Sequence, residues 1–262
     1  MEIAKDSPGI SLSPSPKQLA RKRGEYGIDA PYMPIILGIT GIVFLSACVV
    51  FTWVLQWTVL GIICLIYAGC MLLSTASYLY TTHQGKFQVW AQVLSQLQLR
   101  GEEQIIDLGC GRGAVLLMVA KLLPRGKAIG VDLWRTSDQS GNAKEVTRRN
   151  AELEGVAGRV ELYTADMQKL PFGDNSFDVV LSSLAIHNIH SARGRLRVID
   201  EAVRVLKPGG QLLLADIYGI RSYEKRLREA GMIEVEQRGL GWRFWYGGPW
   251  VAARLISARK PV

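Results

Sequence analysis

The longest apolar stretch of the chain lies near its beginning, between Asp29 and His83, where no residue carries a charge. A helix that spans a membrane needs about 20 apolar residues. The stretch is therefore long enough for two helices joined by a tight turn, and we expect them at residues 34–55 and 57–79. The pattern predicts a transmembrane helical hairpin over residues 31–82. A buried helical hairpin of a soluble protein is the alternative.

The residues that flank the apolar stretch predict its orientation. Gln56 lies between Trp53 and Trp57 and marks the turn, since Trp is enriched at the interface of a bilayer with water. Positive charges lie outside both ends of the hairpin, at Lys17, Arg21, Lys22, Arg23 and Lys86. Because positively charged flanks stay inside the cell, we expect a two-helix, multi-pass membrane protein whose following domain is cytoplasmic.

Beyond the hairpin, over residues 83–262, short apolar runs alternate with helical patterns. Strands are predicted at 104–106, 127–132, 159–165, 176–183 and 211–216, with helices at 114–123, 143–154 and 201–206. Alternation of this kind is typical of an α/β fold with a mostly parallel sheet and helices on both faces. Two further strands are predicted at 232–238 and 250–258.

The first of these strands leads into the most informative motif of the chain, Asp107-Leu-Gly-Cys-Gly-Arg-Gly113. Glycine-rich turns between a strand and a helix bind nucleotides, and dinucleotide-binding turns have the spacing G-x-G-x-x-G. Here the spacing is G-x-G-x-G. The carboxylate at the strand end would repel a pyrophosphate but not a cationic amino-acid group. The motif therefore favours a nucleoside ligand with a cationic end over a nicotinamide dinucleotide.

The motif resembles the first motif of the class I S-adenosylmethionine-dependent methyltransferases. Asp132, at the end of the second strand, and Asp166, after the third, match the family's ribose and adenine acids, and Leu206-Lys-Pro-Gly-Gly210 before the fifth strand matches a further family pattern. The resemblance covers about residues 100–218. It implies a Rossmann-like sheet of seven strands with an antiparallel last hairpin, and S-adenosylmethionine as cofactor. The cofactor-binding residues it implies are Asp107, Gly109, Gly111, Gly113, Asp132, Leu133, Asp166, Met167 and Leu184.

The segment after the fourth strand, Leu184-Ala-Ile-His-Asn-Ile-His190, resembles the acceptor region of small-molecule enzymes of this family, including the quinone C-methyltransferases. Histidine exchanges protons near neutral pH, so His187 is the candidate catalytic base. The alternative is that His187 only packs the loop or hydrogen-bonds the donor. No metal is expected, since the sequence shows no clustered His/Cys ligand set.

The chain carries a net charge of +8, and its N-terminal segment is basic and rich in proline and serine. This composition predicts that residues 1–30 are disordered. The basic segment next to a membrane helix would be attracted to anionic lipid. No nucleic-acid partner is expected, because no RNA-binding module is visible, and the oligomeric state cannot be inferred.

These features together predict a membrane-anchored methyltransferase whose partners are the lipid bilayer and an apolar small-molecule or lipid acceptor. Three alternatives remain open: a tethered module that binds S-adenosylmethionine without catalysis, an enzyme acting on a soluble metabolite or protein, and a nicotinamide-dependent reductase. The glycine spacing argues against the last.

Overall fold

The computed structural model describes residues 14–262, and its centre is a seven-stranded sheet. The strand order is β3-β2-β1-β4-β5-β7-β6. Strand β7 pairs antiparallel with both β5 and β6, while the other neighbours are parallel. The strands are Gln104–Leu108 (β1), Lys127–Asp132 (β2), Val160–Thr164 (β3), Phe177–Ser183 (β4), Leu206–Asp216 (β5), Ile233–Gly239 (β6) and Arg254–Arg259 (β7). The predicted α/β class, strand number and antiparallel final hairpin are confirmed.

Helices cover both faces of the sheet, and each face has its own apolar core. Among the described residues the α-helices are Pro16–Leu19 (α1), Tyr32–Val49 (α2), Thr58–Tyr80 (α3), Lys86–Ser95 (α4), Ala114–Ala120 (α5), Lys144–Leu153 (α6), Ala192–Val205 (α7) and Ile220–Glu229 (α8). One core joins α4, α5 and α6 to the sheet, and the other joins α7 and α8 to its opposite face. The crossovers place the carboxyl ends of β1, β2 and β4 at the same edge of the sheet.

The last strand begins later than the sequence pattern predicts. Residues 250–253 were expected to open it, but Pro249–Val251 forms a 3-10 turn and β7 starts at Arg254. The physical reason is the pair of glycines that precedes this turn. Gly247 and Gly248 have φ of +101° and +136°, which is left-handed or irregular backbone and breaks the extended conformation.

The two apolar helices α2 and α3 pack against each other as a hairpin. Helix α2 continues through a π-helical stretch, Val50–Val54, and the turn follows at Gln56, which has φ of +57°. By length and composition both helices could cross a membrane, with mean hydropathy of 2.5 and 2.2. Their outward side chains are apolar: Ile35, Ile39, Val43, Val59 and Leu73 are each more than half exposed.

The helix is continuous across residues 82 and 83, where we expected the boundary between the hairpin and the sheet domain. Helix α3 passes through a second π-helical stretch, Thr81–Gly85, directly into α4. Thr81 and Thr82 are buried there, and Lys86 pairs with Asp29 at 2.8 Å. Because this junction is packed and hydrogen-bonded, the hairpin and the sheet domain are joined by continuous helix.

The prediction of disorder for residues 1–30 is wrong for its described part, residues 14–30; residues 1–13 lie outside the described residues. Leu19 and Tyr26 are buried in the core of the sheet domain. The carboxylate of Glu154 accepts hydrogen bonds from the backbone N–H of Arg23 and Gly24 and from the Tyr26 hydroxyl. These contacts hold a segment of polar composition against the sheet domain.

Candidate active site

The turn after β1 needs glycine at each of its three glycine positions. Gly109, Gly111 and Gly113 have φ of +72°, +50° and +87°, a region that side chains rarely adopt. A Cβ on Gly109 would also collide with Ala185, in the chain after β4. The turn can therefore keep this conformation and pack against the chain after β4 only because these residues lack side chains.

Asp107, at the end of β1, is a buried carboxyl group that lacks a counter-charge. It is 2% exposed, and its Oδ1 has no hydrogen-bond partner among residues 14–262. Burial, and then the charge of nearby Asp132, raise the pKa of Asp107 to about 7. A buried acceptor without a donor is costly, so the position is suited to a ligand that brings a positive charge or a hydrogen-bond donor.

Asp132, at the end of β2, is held in place by three donors. Its carboxylate accepts hydrogen bonds from the backbone N–H of Gly111 at 2.8 Å and of Trp134 at 2.6 Å, and from the Asn142 side chain at 3.2 Å. Burial raises the pKa of Asp132 despite these bonds. The side chain is therefore fixed beside the glycine turn, where it can accept the hydroxyls of a ribose.

The remaining candidate cofactor residues surround the same cavity, with one exception. Leu133, Asp166, Met167 and Leu184 line the cavity together with Asp107, Gly109, Gly111 and Asp132. Asp166 is exposed and accepts a hydrogen bond from the Gln168 backbone N–H at 2.8 Å, so it also closes a local turn. Gly113 does not line the cavity but begins α5, packed against Leu117.

His187 lies in the same cavity, paired with a buried acid that the sequence interpretation did not assign. Its Nδ1 is 2.6 Å from Oδ1 of Asp216, and its backbone N–H donates to Oδ2 of Asp216 at 3.1 Å. The Asp216 side chain is 2% exposed and the His187 ring 23%. Because Nδ1–H donates to the carboxylate, Nε2 is left free to accept a proton, which is the arrangement of an oriented general base.

Two further groups at the cavity were missed or left unassigned. Asp216 is the last residue of β5, and Asp107 lies near the end of β1. Its position at the carboxyl end of a strand is therefore the sequence signal that could have identified Asp216 as a site residue. Gln139 is buried, its Oε1 accepts the Arg112 backbone N–H at 2.8 Å, and its Nε2 donates to Asp29 at 3.0 Å.

The cavity encloses about 580 Å³, which lies within the range of about 300–1,000 Å³ found for small-molecule sites. Its lining includes the acids and the glycine turn as well as His187 and the apolar side chains of Ile189, Ile217 and Val251. One cavity thus offers both polar and apolar contacts.

Comparison with known proteins identifies the fold family. Residues 106–214 match the family model described as a methyltransferase domain. The chain carries a domain of the S-adenosylmethionine-dependent methyltransferase family. The match begins within β1 and ends within β5, so the glycine turn, the three acids and His187 all lie inside this methyltransferase domain.

Curated relatives share about half of the chain. A demethylmenaquinone methyltransferase of Symbiobacterium thermophilum is 34% identical over 131 residues, which are 49% of this chain and 49% of the relative. A sterol 4-C-methyltransferase of Caenorhabditis elegans is 31% identical over 137 residues, 52% of this chain and 38% of the relative. The chain therefore spans half or less of the length of these two relatives.

Solved structures show the same fold at low sequence identity. The [4+2]-cyclase SpnF has a TM-score of 0.56 and 21% identity, covering 68% of this chain and 83% of its own. A geranyl diphosphate methyltransferase in complex with GPP and sinefungin has a TM-score of 0.53 and 17% identity, covering 65% and 77%. These likenesses support the fold of the methyltransferase domain.

The residues present in the cavity fit the family's cofactor, S-adenosylmethionine. The unpartnered Oδ1 of buried Asp107 suits the ammonium group of the donor's amino-acid end, and the fixed carboxylate of Asp132 suits its ribose. Gly109 and Gly111 of the glycine turn line the same cavity. The fit rests on the Asp107 carboxylate, which has no cationic side chain at hydrogen-bond distance among the described residues.

Proposed function

We propose that this protein is a membrane-anchored methyltransferase that moves a methyl group from S-adenosylmethionine to an apolar small molecule or lipid. The observation that carries the proposal is the single cavity in which the donor-binding acids and the His187–Asp216 pair lie together. Donor binding alone would not require an oriented base in the same cavity.

When bound, the donor supplies a methyl group on a positively charged sulfur, which makes that carbon electrophilic. Asp107 would hold the ammonium end, Asp132 the ribose, and Asp166 and Met167 the adenine, with Leu184 beside them in the cavity. These residues fix the donor's position, and holding two reactants in line supplies much of the rate enhancement in reactions of this type.

The side chains of His187 and Asp216 prepare the acceptor. Asp216 holds Nδ1–H of His187, so the imidazole presents Nε2 to the cavity. Nε2 takes a proton from an acceptor hydroxyl, or from a carbon made acidic by one, and the acceptor becomes a stronger nucleophile. General base catalysis of this kind contributes about 10²- to 10⁴-fold in rate.

The hairpin supports anchoring in a bilayer. Its exposed apolar side chains cover two successive helices, whereas a core helix of a soluble domain would bury them; only 6% of the span in α2 is buried. Basic residues precede the hairpin, and the positive-inside rule then keeps the methyltransferase domain in the cytoplasm. An anchored domain meets apolar acceptors at raised local concentration.

The names of the relatives support an apolar acceptor. The two curated relatives above are named for a sterol and for demethylmenaquinone, both largely apolar ring compounds. Their similarity spans only about half of this chain, so the acceptor class is the part of the proposal that needs its own test.

The test uses the full chain in nanodiscs that contain a membrane lipid extract, with S-adenosylmethionine labelled at its methyl carbon. After incubation the lipid, protein and aqueous fractions are separated. The proposal expects label in the lipid fraction, and its loss in the variant His187→Ala. Label in the aqueous or protein fraction alone would refute the apolar acceptor. Donor binding with label in no fraction would favour a non-catalytic binding module.

A further inference from the structure

The base of the hairpin forms part of the wall of the active-site cavity. Asp29, Ala30, Tyr32 and Met33 line the cavity together with Tyr78 from α3. Tyr32 and Met33, in the first turn of α2, are 53% and 37% exposed. Side chains that both line a cavity and reach the surface lie at its rim, so the rim includes the first turn of α2.

The apolar surface continues from this rim along the hairpin. Ile35, Ile36 and Ile39, which follow Met33 on α2, are 59%, 54% and 58% exposed. Ile189 and Val251 also line the cavity. Apolar side chains are therefore present both in the cavity and on the surface of α2 that follows Met33.

A second segment holds this rim next to the hairpin: residues 240–253, between β6 and β7, which we term the aromatic connection. The backbone carbonyl of Trp245 accepts hydrogen bonds from the Thr81 hydroxyl at 2.7 Å and the Ser77 hydroxyl at 3.2 Å. Trp242 stacks on Tyr80, with ring centroids 5.3 Å apart.

The aromatic connection also places exposed tryptophan side chains near the base of the hairpin. Trp242 and Trp250 are 55% and 68% exposed. Gly247 lies close to Leu37 and Ser74 of the two apolar helices. Because Trp is enriched where bilayer and water meet, this segment marks the level of the headgroups, and the rim of the cavity lies at that level.

A polar cluster fixes the geometry of this wall. The carboxylate of Asp29 accepts hydrogen bonds from Lys86 at 2.8 Å, from the Tyr246 hydroxyl at 2.7 Å and from Thr82 at 2.9 Å. Burial alone would raise the pKa of Asp29, but Lys86 and the hydroxyl donors hold it below its usual value. The charged cluster joins the segment before α2, the helical junction between α3 and α4, and the aromatic connection.

We propose that the acceptor is an amphipathic lipid that enters the cavity sideways from the bilayer, between the first turn of α2 and the aromatic connection. Its polar, reacting head lies at His187, and its tail stays on the apolar surface of α2. This inference rests on the proposed function and names the substrate class and route for the same site. The hairpin is then part of the acceptor site as well as an anchor.

The test compares two tryptophan variants of the hairpin. Met33→Trp fills the rim, whereas Val59→Trp places the same side chain on the exposed face of α3, outside the cavity lining and away from the surface of α2 on which the tail lies. The full chain in phosphatidylcholine nanodiscs is irradiated with a hexadecyl phenol that carries a diazirine, and adducts are mapped by mass spectrometry. We expect adducts at residues 30–33 and 187–191 in the wild type and in Val59→Trp, reduced about tenfold in Met33→Trp, or ~1.4 kcal/mol.

A second readout separates failure of this inference from failure of the proposed function. Methyl transfer to the lipid extract should fall about tenfold in Met33→Trp while the dissociation constant for S-adenosylmethionine stays unchanged. Equal transfer in Met33→Trp, with adducts only on the outer faces of α2 and α3, would overturn lateral entry and leave the methyltransferase proposal intact. Cavity adducts without methyl transfer by the wild type would instead overturn the proposed function.

Discussion

Lowering the pH should weaken donor binding, because Asp107 has to be charged to attract the donor's ammonium group. In the donor-free protein, burial and the neighbouring Asp132 raise the pKa of Asp107 to about 7. The ligand's α-amino group has a pKa of about 7.7–8.0. Binding is therefore strongest between these two values, where both partners are charged.

The size of the effect follows from the two ionisation equilibria. Between pH 7.5 and pH 6 the charged fraction of Asp107 falls from about 76% to about 9%, while that of the ammonium group rises from about 67% to about 98%. The product of the two fractions falls about sixfold, so the dissociation constant should rise about sixfold, or ~1 kcal/mol. At pH 6, binding should also release close to one proton, since the bound cation lowers the pKa of Asp107.

Isothermal titration calorimetry at pH 6 and 7.5, in two buffers of different ionisation enthalpy, measures both quantities. The control ligand is 5′-methylthioadenosine, which has the nucleoside but lacks the ammonium group and should show no weakening at pH 6. Because Asp132 faces the ribose of both ligands, the comparison isolates Asp107. An affinity for S-adenosylmethionine that is constant over this range, or equal weakening of both ligands, would refute the reasoning.

Three further substitutions test the turn, the base and the N-terminal segment. Gly109→Ala should weaken S-adenosylmethionine binding about tenfold or more, since the added Cβ collides with the chain after β4; Gly158→Ala, in open space, is the calorimetric control. Asp216→Asn should lower kcat about tenfold or more without changing donor affinity, because the imidazole loses its orienting acceptor; unchanged turnover would contradict this role. Leu19→Ala should destabilise the sheet domain by about 2–5 kcal/mol, as buried leucines do, and half-exposed Leu153→Ala by clearly less, measured by thermal unfolding.

The parts of the structure that were predictable from the sequence depend on local pattern. An apolar strand that ends in an acid and leads into glycines predicts a nucleotide-binding turn, and the carboxyl ends of parallel strands meet at one edge. This reasoning placed Asp107 and Asp132 beside one cavity. The uncharged stretch of the hairpin was equally clear, because its length exceeds what a soluble core helix needs.

The parts that were not predictable depend on contacts between distant segments. Asp29 and Lys86 are 57 residues apart and meet only because the hairpin returns the chain to its starting level. Asp216 meets His187 because β5 lies beside β4 in the sheet order. In residues 14–30 the polar composition predicted disorder, and the packing of Leu19 against the sheet domain became visible only in the fold.

The central claim, that the acids at the strand ends bind a methyl donor, is tested most directly by titrating S-adenosylmethionine into the wild type and into Asp107→Asn. The asparagine keeps the size of the side chain and removes the buried charge, so the variant should fold at least as stably. The account predicts one donor bound per chain and an affinity weakened about tenfold or more in Asp107→Asn. Unchanged affinity in this variant, or preferential binding of NADH by the wild type, would contradict it.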